Sequence, residues 1–515
     1  MVTEPEPEPL PATPAASGHS STAIARGNRR AARLAFVCAL ACFCYHEWIV
    51  TRGWWAWDQS EGYYGLLARA FAHGHTYLDI QPSPALLALP DPYDPAQNKG
   101  LRLHDASLYN NRYYLYWGPV PALIVAPLKM LPERWQVNTP DAVLVLALSM
   151  GLIFASAALI VRLRERLFPA VPWWTVGIGV LAAGFGHPVP YTMARPDVYE
   201  AAIIGGQFFL LSGLLSAFLA FDRHPRWAEL GVAGLFWAMA TGTRVSLAPT
   251  VAMMAGVAMA RVVFSYQEVS IRRRVGACAA LALPLVAGAV SLAVYNRVRF
   301  DAYTDFGTRY MLSAVNSHSL SEVMTSAAYA WPNLIRYLFE WGTALPDFPF
   351  LAASASRPEF AARFGLPAEY NMEPVVGIVW FAPFLVLGLI PVVALGRRVV
   401  RSDADQERWL TLSLLAGGIV SVAPALLLMG STMRYQMDGS PCWVLMATMG
   451  VCQWSRDNQL AGRRQGVLQA VTGQVLGVSI LFGVLLGMSG YLWQMRAANP
   501  VLWQWMSHAL SGLRL

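Results

Sequence analysis

Two carboxylates, Asp58 and Glu61, stand in the stretch WWAWDQSEGYYGLLARAFAHG, just after the first apolar segment of the chain. Acids beside a bilayer could act as a general base or hold a metal. They could equally complement the dipole of the helix that follows, an effect of about 0.3–1 kcal/mol. Three arginines are the second feature: Arg195 in ARPDVYE, Arg244 in TGTRVS and Arg434 in MRYQMDGSP, each in a short turn between apolar segments. A planar guanidinium bonds phosphate bidentately, so arginines converging from such turns suit a phosphate or diphosphate headgroup. Each alone could instead snorkel to lipid phosphates. A third group lies in HDASLYNNRYYLYWGPVP, where His104, Asp105 and Arg112 accompany Tyr109, Tyr113, Tyr114, Tyr116 and Trp117. These could floor a carbohydrate pocket or form an interfacial aromatic belt. Arg297, Arg299, Arg309 and Arg336 add cations from a later polar stretch, and His46 and Glu47 stand near the end of the first apolar segment. No P-loop, Rossmann fingerprint, HExxH or GxSxG is present, which excludes a soluble nucleotide-binding fold as the source of chemistry. No set of metal ligands at a familiar spacing stands out, although a divalent metal is compatible with the acids.

The elements that must position these residues are membrane helices. Of the 515 residues 56% are hydrophobic and only 13% charged, about half the charge of an ordinary soluble domain. Apolar residues come in blocks of bilayer length, as in the uncharged AVLVLALSMGLIFASAALIV, residues 142–161. The reading is an all-α polytopic membrane protein. The net charge of +7 falls largely in short Arg-rich loops, the positive-inside pattern rather than a nucleic-acid surface. The six cysteines all lie in apolar segments and read as small core residues.

Residues 1–30, Pro- and Glu-rich at the start, read as a disordered cytoplasmic tail. Arg26, Arg29, Arg30 and Arg33 hold the N-terminus inside. About eleven spans are expected, at 34–50, 142–161, 172–190, 198–221, 227–243, 245–264, 275–296, 374–396, 408–429, 439–454 and 468–492. Gly118 to Leu131, short and broken by prolines, reads as re-entrant or interfacial. The chain then divides into a module at 31–296 containing an outer loop at 51–117, a second outer loop at 297–373, and C-terminal spans within 374–515. Both loops, and all three Arg-bearing turns, face outside. The spacing of Tyr63, Leu66, Leu67, Ala70 and Phe71 predicts an amphipathic helix lying on the surface. SEVMTSAAYAWPNLIRYLFEW predicts another, and Asn110-Asn111 predicts a two-residue hairpin turn.

This layout resembles the GT-C superfamily of integral membrane glycosyltransferases, in particular its protein O-mannosyltransferase and aminoarabinose transferase branch. The residues that carry the resemblance are the acid motif with EGYYGLLARAFAHG, LYNNRYYLYWGPVPALIVAPLKML, RLRERLFP, YTMARPDVYEAA and GTRVSLAP, covering the chain to about residue 265. The resemblance implies a transferase of the bacterial inner membrane, with its N-terminus cytoplasmic and its active site periplasmic. Its donor would be a polyprenyl-phosphate sugar held among membrane lipids, and its acceptor a glycan, lipid or protein. In the family a first-loop acid serves as base and basic residues hold the lipid phosphate. Aligning Glu61 and Tyr64 on the family's Glu-x-x-Tyr puts Ser60 where an Asp usually stands. Asp58 is then the first choice for the working acid, Glu61 the second, and an inactive member the third. Arg195, Arg244 and Arg434 would be phosphate ligands, with Tyr64, Asp197 and Arg309 in the substrate pocket. Two other classes fit an all-helical membrane chain. A transporter or flippase predicts charge near mid-span, which is largely missing here, and a non-catalytic scaffold predicts no common cavity.

Overall fold

The structure, a computed structural model, describes residues 17–222, 224–354, 357–396, 404–457 and 462–512. Of the expected tail, residues 1–16 lie outside the described ones, and the first helix runs from Ser17 to Val50. Among the described residues, seven helices are long and apolar enough to cross a membrane: Ala25–Val50, Asp141–Leu167, Val198–Ala220, Val245–Ser265, Ile271–Phe300, Asp405–Leu426 and Gln465–Ser489. The other four expected spans also fall on helix, at Trp174–Phe185, Trp227–Thr243, Pro383–Leu395 and Ser440–Asp457. The piece expected to be re-entrant forms a helix of only 10 residues, Val120–Lys129, about 15 Å long and too short to span.

The helix Val198–Ala220 is the most enclosed of the long ones, lying between Asp141–Leu167 and Trp227–Thr243. Apolar chains gain little by leaving lipid for protein, so close packing of small residues does the work. Gly213 leaves room for the Trp237 ring, whose indole N–H donates to the Leu210 carbonyl at 3.1 Å. Ile271–Phe300 lies at the other extreme, with Leu283, Val286, Val290 and Val294 exposed as a surface suited to lipid.

The two long loops meet. Ser107–Tyr109 and Arg112–Tyr114 form an antiparallel hairpin. Asn110 and Asn111 sit at φ 47° and 57°, the left-handed pair that a two-residue turn needs and that Asn tolerates. The second loop docks on this hairpin: Leu312 N–H donates to the Ala106 carbonyl at 3.0 Å, Asp105 N–H to the Leu312 carbonyl at 2.9 Å, and Ser107 Oγ to the Gly307 carbonyl at 2.8 Å. Further on, Asn371–Met372 pairs in parallel with Gly430–Ser431, which draws the end of the second loop to the turn that carries Arg434. Helices form at both positions expected to carry them, Tyr63–Ala72 and Ala330–Phe339, the first with Tyr64, Gly65, Leu67, Ala68 and Ala70 buried against the protein.

Candidate functional site

Where those segments converge, a small cleft of about 10 Å³ opens, room for about one water. It is lined by Tyr191, Thr192, Arg195, Glu200, Glu373, Thr432, Arg434 and Tyr491. Short segments build it. Val189–Met193 is a single helical turn, after which the chain re-enters helix at Val198. Asp197 and Glu200 close a capping box at that start, so the turn holding Arg195 is pinned at both ends. Arg195 Nε bonds Asp197 Oδ2 at 2.8 Å. Its guanidinium lies 5.3 Å from the Tyr199 ring and 4.4 Å from the Tyr491 ring.

Arg434 enters from the turn Met433–Asp438 and is 11% exposed at its side chain. It pairs with Glu373 at 3.2 Å and lies 3.9 Å from Glu200. Burial opposes its charge, but Glu373 and then Glu200 outweigh burial and push its pKa up. The Arg434 Nε and the Glu373 Oε2 are both buried without a hydrogen-bond partner among the described residues. Arg244 lies one ring away. Its guanidinium is 5.6 Å from Tyr435, which Arg434 flanks from 5.8 Å. Both prongs of Arg244 are engaged by Asp438, at 2.8 and 2.7 Å. Burial works against that charge too, and Asp438 reverses the effect, so the Arg244 pKa is raised. The three arginines expected from separate turns thus converge through Tyr199 and Tyr435.

Asp105 joins the same group. Its carboxylate accepts a short hydrogen bond from the Tyr199 hydroxyl, and Tyr199 carries Arg434 over its ring at 4.6 Å. The other oxygen, Oδ1, is buried without a hydrogen-bond partner among the described residues and lies 3.7 Å from His104 Nε2. Asp105 also has φ 57°, a left-handed conformation held by its backbone bond to Leu312.

The two first-choice acids are placed differently. Asp58 is exposed and bonds within its own turn, to Ser60 Oγ at 2.7 Å and Ser60 N at 3.0 Å. Those bonds, the hydroxyl first, hold its pKa below the usual carboxylate value. Glu61 is enclosed by donors: Lys129 Nζ at 2.9 and 2.8 Å, Arg69 Nη2 at 2.6 Å and the Thr139 N–H at 2.9 Å. No hydrogen bond or ion pair among the described residues links either acid to the three arginines. Nor does either cap the helix they precede. That role falls to Asp141, from the start of the next long helix, which accepts from Tyr63 N at 3.1 Å and Tyr64 N at 3.5 Å.

The remaining expected pocket residues divide in two. Asp197 does not line the cleft but holds Arg195, which does, and Tyr64 is fully buried with its hydroxyl unpartnered among the described residues. Tyr109, Arg112, Tyr113 and Arg309 hold the loops themselves, Tyr109 across their junction and the other three each within one loop. Tyr109 bonds Asp301 at 3.3 Å, Arg112 covers the Tyr77 ring at 4.2 Å, the Tyr113 hydroxyl accepts from Leu103 N, and Arg309 pairs with Asp305 at 2.8 Å. Arg299 and Arg336, also from that loop, hold backbone and neighbouring side chains: Arg299 bonds the Leu115 carbonyl and Asn296, Arg336 the Ser431 hydroxyl and the Glu373 carbonyl. His46 is buried between Ser149 and the Gly184 carbonyl. The residues that sequence reasoning passed over are Glu200, Glu373 and Tyr199. The first and last stand in the same ARPDVYE turn as Arg195, so an outward charged turn was the signal for them. Glu373 had none beyond its place at the end of a long polar loop.

No protein-family model matches the chain, and no curated protein does. Among solved structures, the chain is similar to the oligosaccharyltransferase of Archaeoglobus fulgidus in its apo form. That match has TM-score 0.52 at 13% identity and covers 92% of this chain and 59% of the other. The same enzyme in complex with zinc and sulfate gives TM-score 0.51 at 11% identity, with coverages of 88% and 53%. The chain thus spans little more than half the length of the proteins it matches. At that identity the likeness speaks for the fold alone: the chain shares the all-α polytopic membrane architecture of that oligosaccharyltransferase.

Proposed function

We propose that the chain is a membrane glycosyltransferase that moves a sugar from a polyprenyl-phosphate-linked donor to an acceptor at the outer, periplasmic face of a bacterial inner membrane. The observation that carries the reading is the convergence of Arg195 and Arg434 on one cleft, with Arg244 behind them. In the transfer, the bond between the sugar's C1 and the phosphate oxygen breaks and the acceptor atom bonds C1. The phosphate gains negative charge, and fixed guanidinium donors in a partly dry cleft stabilise it without reorganising. Arg195 is the donor best placed to change partners, because Asp197, which holds it, is about half exposed at 49%. Arg434 keeps a buried Nε without a hydrogen-bond partner among the described residues, while Arg244 is committed to Asp438 and braces Tyr435.

The acceptor's proton needs a carboxylate within reach. Asp105 offers a buried Oδ1 without a hydrogen-bond partner among the described residues and is joined to Arg195 and Arg434 through Tyr199, whereas Asp58 stands exposed in its own turn and Glu61 is neutralised by Lys129 and Arg69. Asp105 is therefore assigned the base, with Tyr199 orienting it, and Asp58 remains the candidate for meeting the acceptor at the entrance. Sugar, carrier length and acceptor class follow from assay.

The experiment is binding of a polyprenyl-phosphate sugar to the protein in nanodiscs, followed by turnover. Arg195→Gln should weaken binding at least tenfold, and Asp105→Asn should bind normally and lose turnover. If the wild type shows no affinity for such a lipid, the transferase reading fails. If Asp105→Asn turns over normally while Asp58→Asn does not, the base is Asp58.

A further inference from the structure

We propose that His73, His75 and Asp79 form a binding site for a divalent transition metal of the zinc class, on the first long loop. One donor atom from each residue lies within 4.8 Å of the others. The motif is His-x-His-x3-Asp, HGHTYLD, and what folds it into a cluster is Gly74. That residue sits at φ +80°, where a side chain is strained. The turn ends the helix Tyr63–Ala72, with His73 N and His75 N both bonded to the Ala70 carbonyl at 3.1 and 3.0 Å. Both imidazoles are thereby brought to one side, with ring centroids 6.1 Å apart.

The spacing and the chemistry of the donors both fit. His73 Nδ1 lies 3.7 Å from Asp79 Oδ2. Two ligand atoms on a tetrahedral zinc at about 2.1 Å stand roughly 3.4 Å apart, so this pair needs only a few tenths of an ångström of adjustment. His75 carries the outer hydrogen bond typical of a metal-ligating imidazole. Its Nδ1 bonds the Tyr77 carbonyl at 3.0 Å, which sets the tautomer that leaves the Nε2 lone pair free. The ring is further held by stacking on Tyr77 at 4.0 Å. Two imidazoles and one carboxylate favour zinc, cobalt, nickel or copper over magnesium or calcium, which want oxygen ligands. His73 is 59% exposed at its side chain and Asp79 33%, so an ion and a completing water have an open path.

The nearest competing cation is Arg69, whose Nε is 3.9 Å from Asp79 Oδ2. That is beyond hydrogen-bond distance, and its Nη2 is bonded to Glu61 at 2.6 Å. An ion would therefore displace only a long contact. Its effect would be to clip the helix end to the strand that follows, since Leu78 N–H donates to the Tyr113 carbonyl at 2.8 Å.

The test uses the full chain, carrying no oligohistidine tag, purified in detergent, stripped with EDTA and titrated with Co2+ alone and then Zn2+. One saturable equivalent of Co2+ with visible d–d absorption, displaced by Zn2+, is expected. Asp79→Asn and His75→Ala should each weaken binding at least about tenfold, while His508→Ala should not. Zn2+ should also raise the melting temperature of wild type and leave that of Asp79→Asn unmoved. Absence of saturable Co2+ binding overturns the proposal, as does a full equivalent retained by the nearly isosteric Asp79→Asn.

Discussion

Replacing Glu61 by Gln tests whether this acid belongs to the chemistry or to the scaffold. The structure places it in a buried ion pair. Lys129 is 1% exposed at its side chain and Glu61 9%. The ammonium makes bonds of 2.9 and 2.8 Å to Glu61 and one of 2.7 Å to the Val137 carbonyl. Removing the carboxylate charge leaves the Lys129 ammonium with only neutral acceptors, the Val137 carbonyl and the new amide oxygen, and breaking a buried pair this way costs about 3–5 kcal/mol. The Arg69 bond adds little. Its side chain is 33% exposed, and an ion pair that wet is worth about 0–1 kcal/mol. Glu61→Gln is therefore expected to lose about 3–5 kcal/mol, almost all of it through Lys129. Unfolding in mixed micelles, followed by tryptophan fluorescence, measures the loss. A double substitution, Glu61→Gln with Lys129→Met, supplies the control. It removes both charges, so it should cost less than the sum of the single changes, with a coupling of about 1–3 kcal/mol. If Glu61→Gln stays within about 0.5 kcal/mol of wild type, the ordinary range for a surface change, and transfer is still abolished, the structural assignment is refuted and Glu61 acts on substrate.

Two other outcomes follow from backbone geometry. Gly62 sits against Asp141, where an added Cβ would lie 2.5 Å from both the Asp141 backbone N and its Oδ1. Gly62→Ala should break the cap on Tyr63 and Tyr64 and lower the melting temperature, at a cost of about 1–3 kcal/mol. Gly256→Ala, inside the helix Ala248–Ser265 where nothing lies within 4 Å, should not lower the melting temperature in the same scan and should raise it slightly. At the hairpin, Asn111→Val forces a β-branched residue into φ 57° and should cost about 1–2 kcal/mol, while Asn111→Gly should be tolerated. Proteolysis of the loop during detergent unfolding distinguishes the two.

The helices were legible because their cause is local. A run of apolar residues of bilayer length can satisfy its backbone only as helix, so residues 142–161 and 198–221 needed nothing beyond their own composition. The Asn110-Asn111 turn was legible for the same reason, since the residue types that tolerate positive φ are few. Arg195, Arg244 and Arg434 stood out because each opposes a charge bias. What the sequence did not carry was pairing across distance. Nothing in Glu61's surroundings announces Lys129, 68 positions on, nor does TPDAV announce that Asp141 caps a helix 77–78 positions earlier. The same holds for HGHTYLD, whose spacing becomes a cluster only once Gly74 turns the chain.

These long-range pairings also change what the acidic opening stretch is for. A carboxylate works as a base in proportion to how little else it is bonded to, and Glu61 is bonded to most. Its role is to hold the short helix Val120–Lys129 against Tyr63–Ala72, which places the hairpin and so Asp105. That residue's carboxylate keeps one oxygen without a hydrogen-bond partner among the described residues, and it is held in a strained conformation by the second loop through Leu312. Strain of that kind costs on the order of 1–3 kcal/mol and persists only where surrounding structure over-determines it. Both loops, far apart in sequence, are needed to impose it. The chemistry assigned to Asp105 therefore depends on the docking of residues 310–312 on the hairpin, a contact that touches no substrate.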